Sequence, residues 1–262
     1  MRQCQPATSP HAPGLLAGAV LASALLASCT PVRMHLPSPL AGTPEMAVAG
    51  RQGWSRLTGR PMTFGAFRAE EIRQGWRSTS RRQGPGGGLR IGTTEYSANE
   101  ERMSSRQRLE FRLVGEGSAL TWVRCLRAER GEALVFSRRD EDSESTLRVG
   151  EHREVTFACT GEPETEDLPP WSLVLATQDP RFVTGTLTLG ETVLAVESSN
   201  VVATGVRIPA PIGFVVRRED RPVAAVELFN RGAAWIDPQL PAADRAALAG
   251  AAAALLLLDS GD

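Results

Sequence analysis

From residue 51 to residue 236 the apolar side chains recur at every second position rather than every third or fourth, which restricts the chain to strands that each bury one face. In Arg108 to Val114, Leu109, Phe111 and Leu113 share one face, and Arg108, Glu110 and Arg112 the other. A second apolar run, Ala119 to Leu126, follows across Gly115-Glu116-Gly117-Ser118. A short Gly-rich link between two such runs predicts a hairpin. Further strands are expected at Met62–Arg68, Ala133–Phe136, Glu154–Cys159, Trp171–Thr177, Phe182–Leu189, Thr192–Val196, Gly213–Arg217, Val223–Phe229 and Ala233–Ile236. Short strands parted by Gly, Pro, Asp and Asn turns predict a mainly β fold, an antiparallel β-sandwich or barrel-like sheet. The pattern argues against parallel βαβ units, because no amphipathic helix of about 10–15 residues separates the strands; it leaves room for a short helix around Glu70–Trp76. A transmembrane barrel fits poorly: aromatics are 5%, no aromatic girdle repeats, and the strands look shorter than the ~9–11 residues needed.

Beyond the strands the character changes. Pro241 opens a run of helix formers, tolerated in a first helical turn, and Asp244 suits the positive end of the helix dipole. Ala246 to Leu258 carries no charge, yet is shorter than the ~20 residues of a membrane span. The expectation is an Ala/Leu-rich C-terminal helix, about 241–258, packed on the sheet, its alanines permitting close approach.

Four cysteines and the absence of lysine decide what chemistry is open. All 29 basic residues are arginine, against 30 acidic ones, so Schiff-base chemistry and a phosphate-loop lysine are excluded. A formal charge of −1 argues against a dedicated nucleic-acid binder. Cys125 and Cys159 both close strand-like stretches. In an oxidising compartment two such cysteines are expected to form a disulfide; they lack CxxC spacing and the histidines of a zinc shell.

The N-terminus supplies the compartment. Arg2 and an apolar run from Leu15 to Ala27 have the shape of a secretory signal. Leu26-Ala27-Ser28-Cys29 resembles the lipobox of bacterial lipoproteins; the resemblance covers the signal segment alone. It implies cleavage before Cys29, a diacylglycerol on its thiol and usually an acyl chain on its amine, such as palmitate. Thr30 is not the Asp that resembles an inner-membrane retention signal, which points to the periplasmic face of the outer membrane. The chain then divides into a signal peptide (1–28), a lipidated, Pro-rich tether (29–50) and a single β-rich domain (51–262).

No catalytic constellation emerges. His152, the only histidine of the domain, reads as an exposed turn residue, and no G-x-S-x-G elbow is present. The acidic clusters Asp140–Glu144 and Glu162–Asp167 lack the spacing of a calcium loop. No catalytic residue, metal ligand or cofactor is assigned. Gly84-Pro85-Gly86-Gly87-Gly88 reads as a mobile loop, and each tryptophan as core or edge packing. The nine arginines of residues 51–90 offer contact with an envelope protein or anionic lipid. These features predict a lipid-anchored envelope protein with a non-enzymatic binding or assembly role. The rivals are a small-ligand or lipid carrier, which needs a cavity, and a hydrolase using a carboxylate pair.

Overall fold

The computed structural model describes residues 32–51, 60–115, 120–165, 168–179 and 182–258. Cys29 and the expected signal segment lie outside them. Thirteen strands form one antiparallel sheet: β1 (Met46–Ala47), β2 (Met62–Phe64), β3 (Phe67–Gln74), β4 (Ser78–Ile91), β5 (Thr94–Val114), β6 (Leu120–Arg139), β7 (Glu144–Pro163), β8 (Trp171–Asp179), β9 (Phe182–Leu189), β10 (Thr192–Ser199), β11 (Gly213–Arg218), β12 (Arg221–Glu227) and β13 (Ala233–Ile236). All except β4 follow one path, β1-β13-β12-β11-β10-β9-β8-β7-β6-β5-β3-β2. Its two ends meet where Ala49 and Thr63 exchange backbone hydrogen bonds of 2.9 Å. The sheet is therefore a nearly closed barrel, the second of the two expected architectures. The predicted hairpin pairs Val114 with Leu120; its turn, 116–119, lies outside the described residues.

The C-terminal helix, α1 (Ala242–Leu258), packs against this sheet and fills its interior. Every residue from Ala247 to Leu257 is buried, whichever way it points, and α1 touches β6, β7, β9, β12 and β13, strands from around the barrel. A helix of 17 residues is ~26 Å long, enough to run through the barrel. Alanine on most of its surface allows that passage. The tightest point is Trp171, which lies between Gly250 of the helix and Gly161 of the neighbouring strand. A Cβ on Gly250 would come within 2.5 Å of the indole. Gly250→Val should therefore lower stability by ~2–3 kcal/mol, a melting shift of about 5–10 °C in a domain of this size. An unshifted thermal melt would refute that packing.

Arg51 caps the far end of α1. It is 2% exposed, and its guanidinium donates to the backbone oxygens of Leu256 (2.8 Å) and Leu228 (2.6 Å). A cation suits the negative end of the helix dipole, and its donors satisfy carbonyls that a helix end leaves unpaired.

Three expectations need correction. Residues 32–50 are not an extended tether. Met34, Leu40 and Val48 are buried, β1 joins the sheet, and the buried Glu227 carboxylate accepts the Met34 N–H at 2.7 Å. The prolines stop regular ladders but still leave these apolar side chains free to dock. The Glu70–Trp76 stretch is strand β3, extending to Gln74, with no helix; β5 beside it supplies the backbone partners. Gly84–Gly88 belongs to β4, where Gly84 and Pro85 form a bulge opposite Glu100, so the missing proline N–H falls where the ladder is already interrupted.

The strands are also longer than the alternation suggested: β4 has 14 residues, β5 21, and β6 and β7 20 each. Strand length is thus no argument against a transmembrane barrel, but the direction of burial is. Leu109, Phe111 and Leu113 point inward, while Arg108, Glu110 and Arg112 point outward, inverting the apolar-out pattern of such barrels. No described helix is long and apolar enough to cross a membrane.

Candidate interaction surface

The outer halves of β4, β5, β6 and β7 run past the barrel rim as a four-stranded arm. Among the described residues β4 pairs only with β5, and β7 pairs with β8 only from Val155 onward. From the rim to the tip β5 contributes about a dozen residues, or ~40 Å. This arm holds most of the polar features met in the sequence.

On its inner face two carboxylates are each held between arginines. Glu129 of β6 is 1% exposed; Arg77 donates to its Oε2 at 2.6 Å, and Ser105 Oγ lies 3.4 Å from the same oxygen. Arg153 Nε is 2.6 Å from Oε1, an ion pair lying off the line of a directed hydrogen bond. Nearer the tip, Glu101 of β5 lies 3.2 Å from Arg81 of β4 and 3.6 Å from Arg148 of β7. Arg148 reaches it across β6, where Gly131 and Ala133 leave the inner face low. Each storey ties the β4 side of the arm to β7 through a central glutamate. Burial pushes the Glu129 carboxyl up, but Arg153 and Arg77 outweigh that and hold it below the usual carboxylate range.

The outer face of the tip is apolar. Leu89, Tyr96, Phe136 and Leu147 lie on adjacent strands around an open groove of about 580 Å³, and all four are exposed. Val149 and Leu134 extend the patch toward the rim, and Arg138 lines the groove beside them.

Cys125 and Cys159 form the expected disulfide, directly opposite one another on β6 and β7 with their Cα atoms 4.0 Å apart, buried on the barrel's inner side. His152 is exposed, but lies on β7 opposite Glu132 and not in a turn. Asp140–Glu144 forms the β6–β7 turn and the first residue of β7, where Arg138 pairs with Asp140 (2.9 Å) and Arg139 with Glu144 (3.0 Å). Among the described residues no group of three His, Cys, Asp or Glu side chains could hold a metal ion.

The arginines of 51–90 do not make one patch. Arg51 is interior, Arg68 pairs with Glu70, Arg77 and Arg81 serve the inner face of the arm, and Arg56 lies outside the described residues. The tryptophan expectation holds for Trp171 and Trp235, both 4% exposed, and fails for Trp76, which is 97% exposed at the foot of β4. Trp54 lies outside the described residues.

Glu129 and Glu101 escaped the sequence reading. Both sit in stretches so rich in charge that neither stands out, and only strand register shows which arginines face them. Compared with protein-family models, curated proteins and solved structures, the chain matches none.

Proposed function

We propose that this chain is a lipid-anchored envelope protein with a non-enzymatic role in binding or assembly, and that the arm is its working surface. The observation that carries the reading is the arm itself: four long strands that project from a filled barrel, stiffened inside by ion pairs, with an apolar groove outside and two strand edges unpaired. A part without a role in the barrel core, built at this length, is the natural place for a partner. The carrier alternative has less support, because α1 occupies the barrel interior where a ligand would sit. So does the carboxylate-pair hydrolase, because Glu129 and Glu101 of the arm are both engaged by arginines.

The lipobox-like Cys29 supports the anchoring half. With the tether gone, only Thr30 and Pro31 part it from Val32, whose carbonyl accepts the Asn230 side-chain N–H at 2.7 Å. Three residues of chain reach no more than about 11 Å, so a lipid on Cys29 would keep Val32 close to the membrane surface, at the periplasmic face of the outer membrane.

Metabolic acyl labelling and fractionation of the full chain test this. The expected result is acyl mass on Cys29 and sedimentation with membranes, both lost in Cys29→Ser. An unacylated, soluble mature protein would overturn the anchoring.

A further inference from the structure

We propose that the arm joins head to tail with neighbouring copies of this chain, β4 of one copy pairing antiparallel with the outer half of β7 of the next. The inference rests on reading the arm as the working surface, and not on the lipid.

Both edges are open to pairing. Among the described residues β4 pairs on one side only, with β5, and β7 from Glu144 to Glu154 pairs on one side only, with β6. Exposed strand edges present rows of backbone donors and acceptors that template another strand. Their directions are compatible. The four strands alternate, so β4 and β7 run opposite ways, and a rotation about an axis along the strands sets β7 of one copy antiparallel to β4 of the next. The same rotation keeps the outward faces on one side, and the apolar row Leu89, Tyr96, Phe136 and Leu147 continues across the junction.

Charge favours this pairing over like edges meeting. β4 carries Arg81, Arg82 and Arg90 and no acidic residue. The opposite edge, with its turn, carries Asp140, Glu141, Asp142, Glu144 and Glu154 against Arg148 and Arg153. Arg82, Arg90, Glu141, Asp142 and Glu154 make no ion pair among the described residues, so both edges hold unspent charge of opposite sign. Two β4 edges would bring arginines together, which is destabilising across strands. Trp76 adds an anchor: an almost fully exposed indole just before the free edge is the kind of side chain that dominates interface energetics. The bulge at Pro85 leaves Ser78–Gln83 as the uninterrupted pairing stretch. Such a heterologous contact closes into a ring or continues as a filament according to its rotation angle.

Disulfide trapping tests the arrangement. β4 and β7 are separated by two strands, three spacings of ~4.8 Å, beyond the ~7 Å that a disulfide spans, so any bond between their outward side chains links two molecules. The full chain with Cys4→Ser and Cys29→Ser, purified in mild detergent, would carry Ser80→Cys together with Glu154→Cys, Val149→Cys or Ser145→Cys. The expected result is a ladder of dimers and higher species in at least one pairing, and monomer for each single cysteine. No ladder in any pairing overturns the proposal, and so does dimerisation of Ser80→Cys alone, which means like edges meet. In the otherwise native chain, Trp76→Ala should weaken self-association about tenfold in sedimentation velocity. A native chain that stays monomeric at every concentration refutes the assembly. Loss of acylation on Cys29 would leave the ladder in place, which separates the two proposals.

Discussion

A chain ending at Pro241 should not fold. Removing α1 takes Leu248, Leu255, Leu256 and Leu257 from the barrel interior, each 2% exposed or less. At ~2 kcal/mol per fully buried leucine these four alone contribute about 8 kcal/mol, on the order of a domain's entire net stability. The seven other buried residues from Ala247 to Ala254 add to it, and the remaining barrel would be lined by Leu109, Phe111, Leu173 and Leu187 facing a void. A sheet cannot close on an interior of that width without filling it. The expected result is insoluble or protease-sensitive material with no cooperative thermal transition. A cooperative melt within a few degrees of the parent chain would show that the helix only covers the sheet and does not fill it.

The contrast between barrel and helix shows what kinds of information reach the sequence. The alternation around Leu109, Phe111 and Leu113 reported a sheet with one buried face, because period two is a local property of a strand. The uncharged run in 246–258 reported a buried helix for the same reason. That the helix lies inside a closed sheet was not legible, because closure depends on Ala49 meeting Thr63 and on Arg51 reaching Leu256, contacts between distant positions. The disulfide was legible from compartment chemistry and strand context; that Cys125 and Cys159 stand directly opposite is a matter of register.

The arm was the hardest part to foresee. In β4 and the first half of β5 the inner face is polar, so hydrophobic alternation vanishes; no strand was expected there, and Gly84–Gly88 read as a loop. The strands persist there because each backbone has a neighbour and because arginine–glutamate bridges replace apolar contact. The prolines of 32–50 misled in the opposite sense: a segment that cannot form a ladder was read as free, although Met34, Leu40 and Val48 had a surface to bury against.

Glu129→Ala should loosen the base of the arm while sparing the barrel. The substitution leaves Arg77 and Arg153 facing each other without the carboxylate that joins them. Breaking a fully buried pair costs ~3–5 kcal/mol; these arginines are about a third exposed, so water recovers part of it and ~2–3 kcal/mol remains. Acid should act in the same direction. The folded Glu129 carboxyl lies below its ordinary value, so the unfolded arm binds the proton more readily. Its stabilisation is complete above the unfolded carboxylate range, near pH 4.3, and is lost as pH falls from there through the folded value. Glu227 behaves oppositely. Burial pushes its carboxyl up against the opposing Met34 N–H and Arg33, so protonation favours the fold at the N-terminal clasp as pH falls through its raised value. Amide hydrogen exchange on the full chain should therefore show β4 and the outer half of β7 opening as pH falls below the ordinary glutamate range, about 4.3, while residues 33–36 stay protected. In Glu129→Ala that opening is already present at pH 7 at the base of the arm. Unchanged exchange in residues 77–82 and 148–154 of the variant would mean that backbone pairing alone holds the arm, and that the glutamate bridge is dispensable.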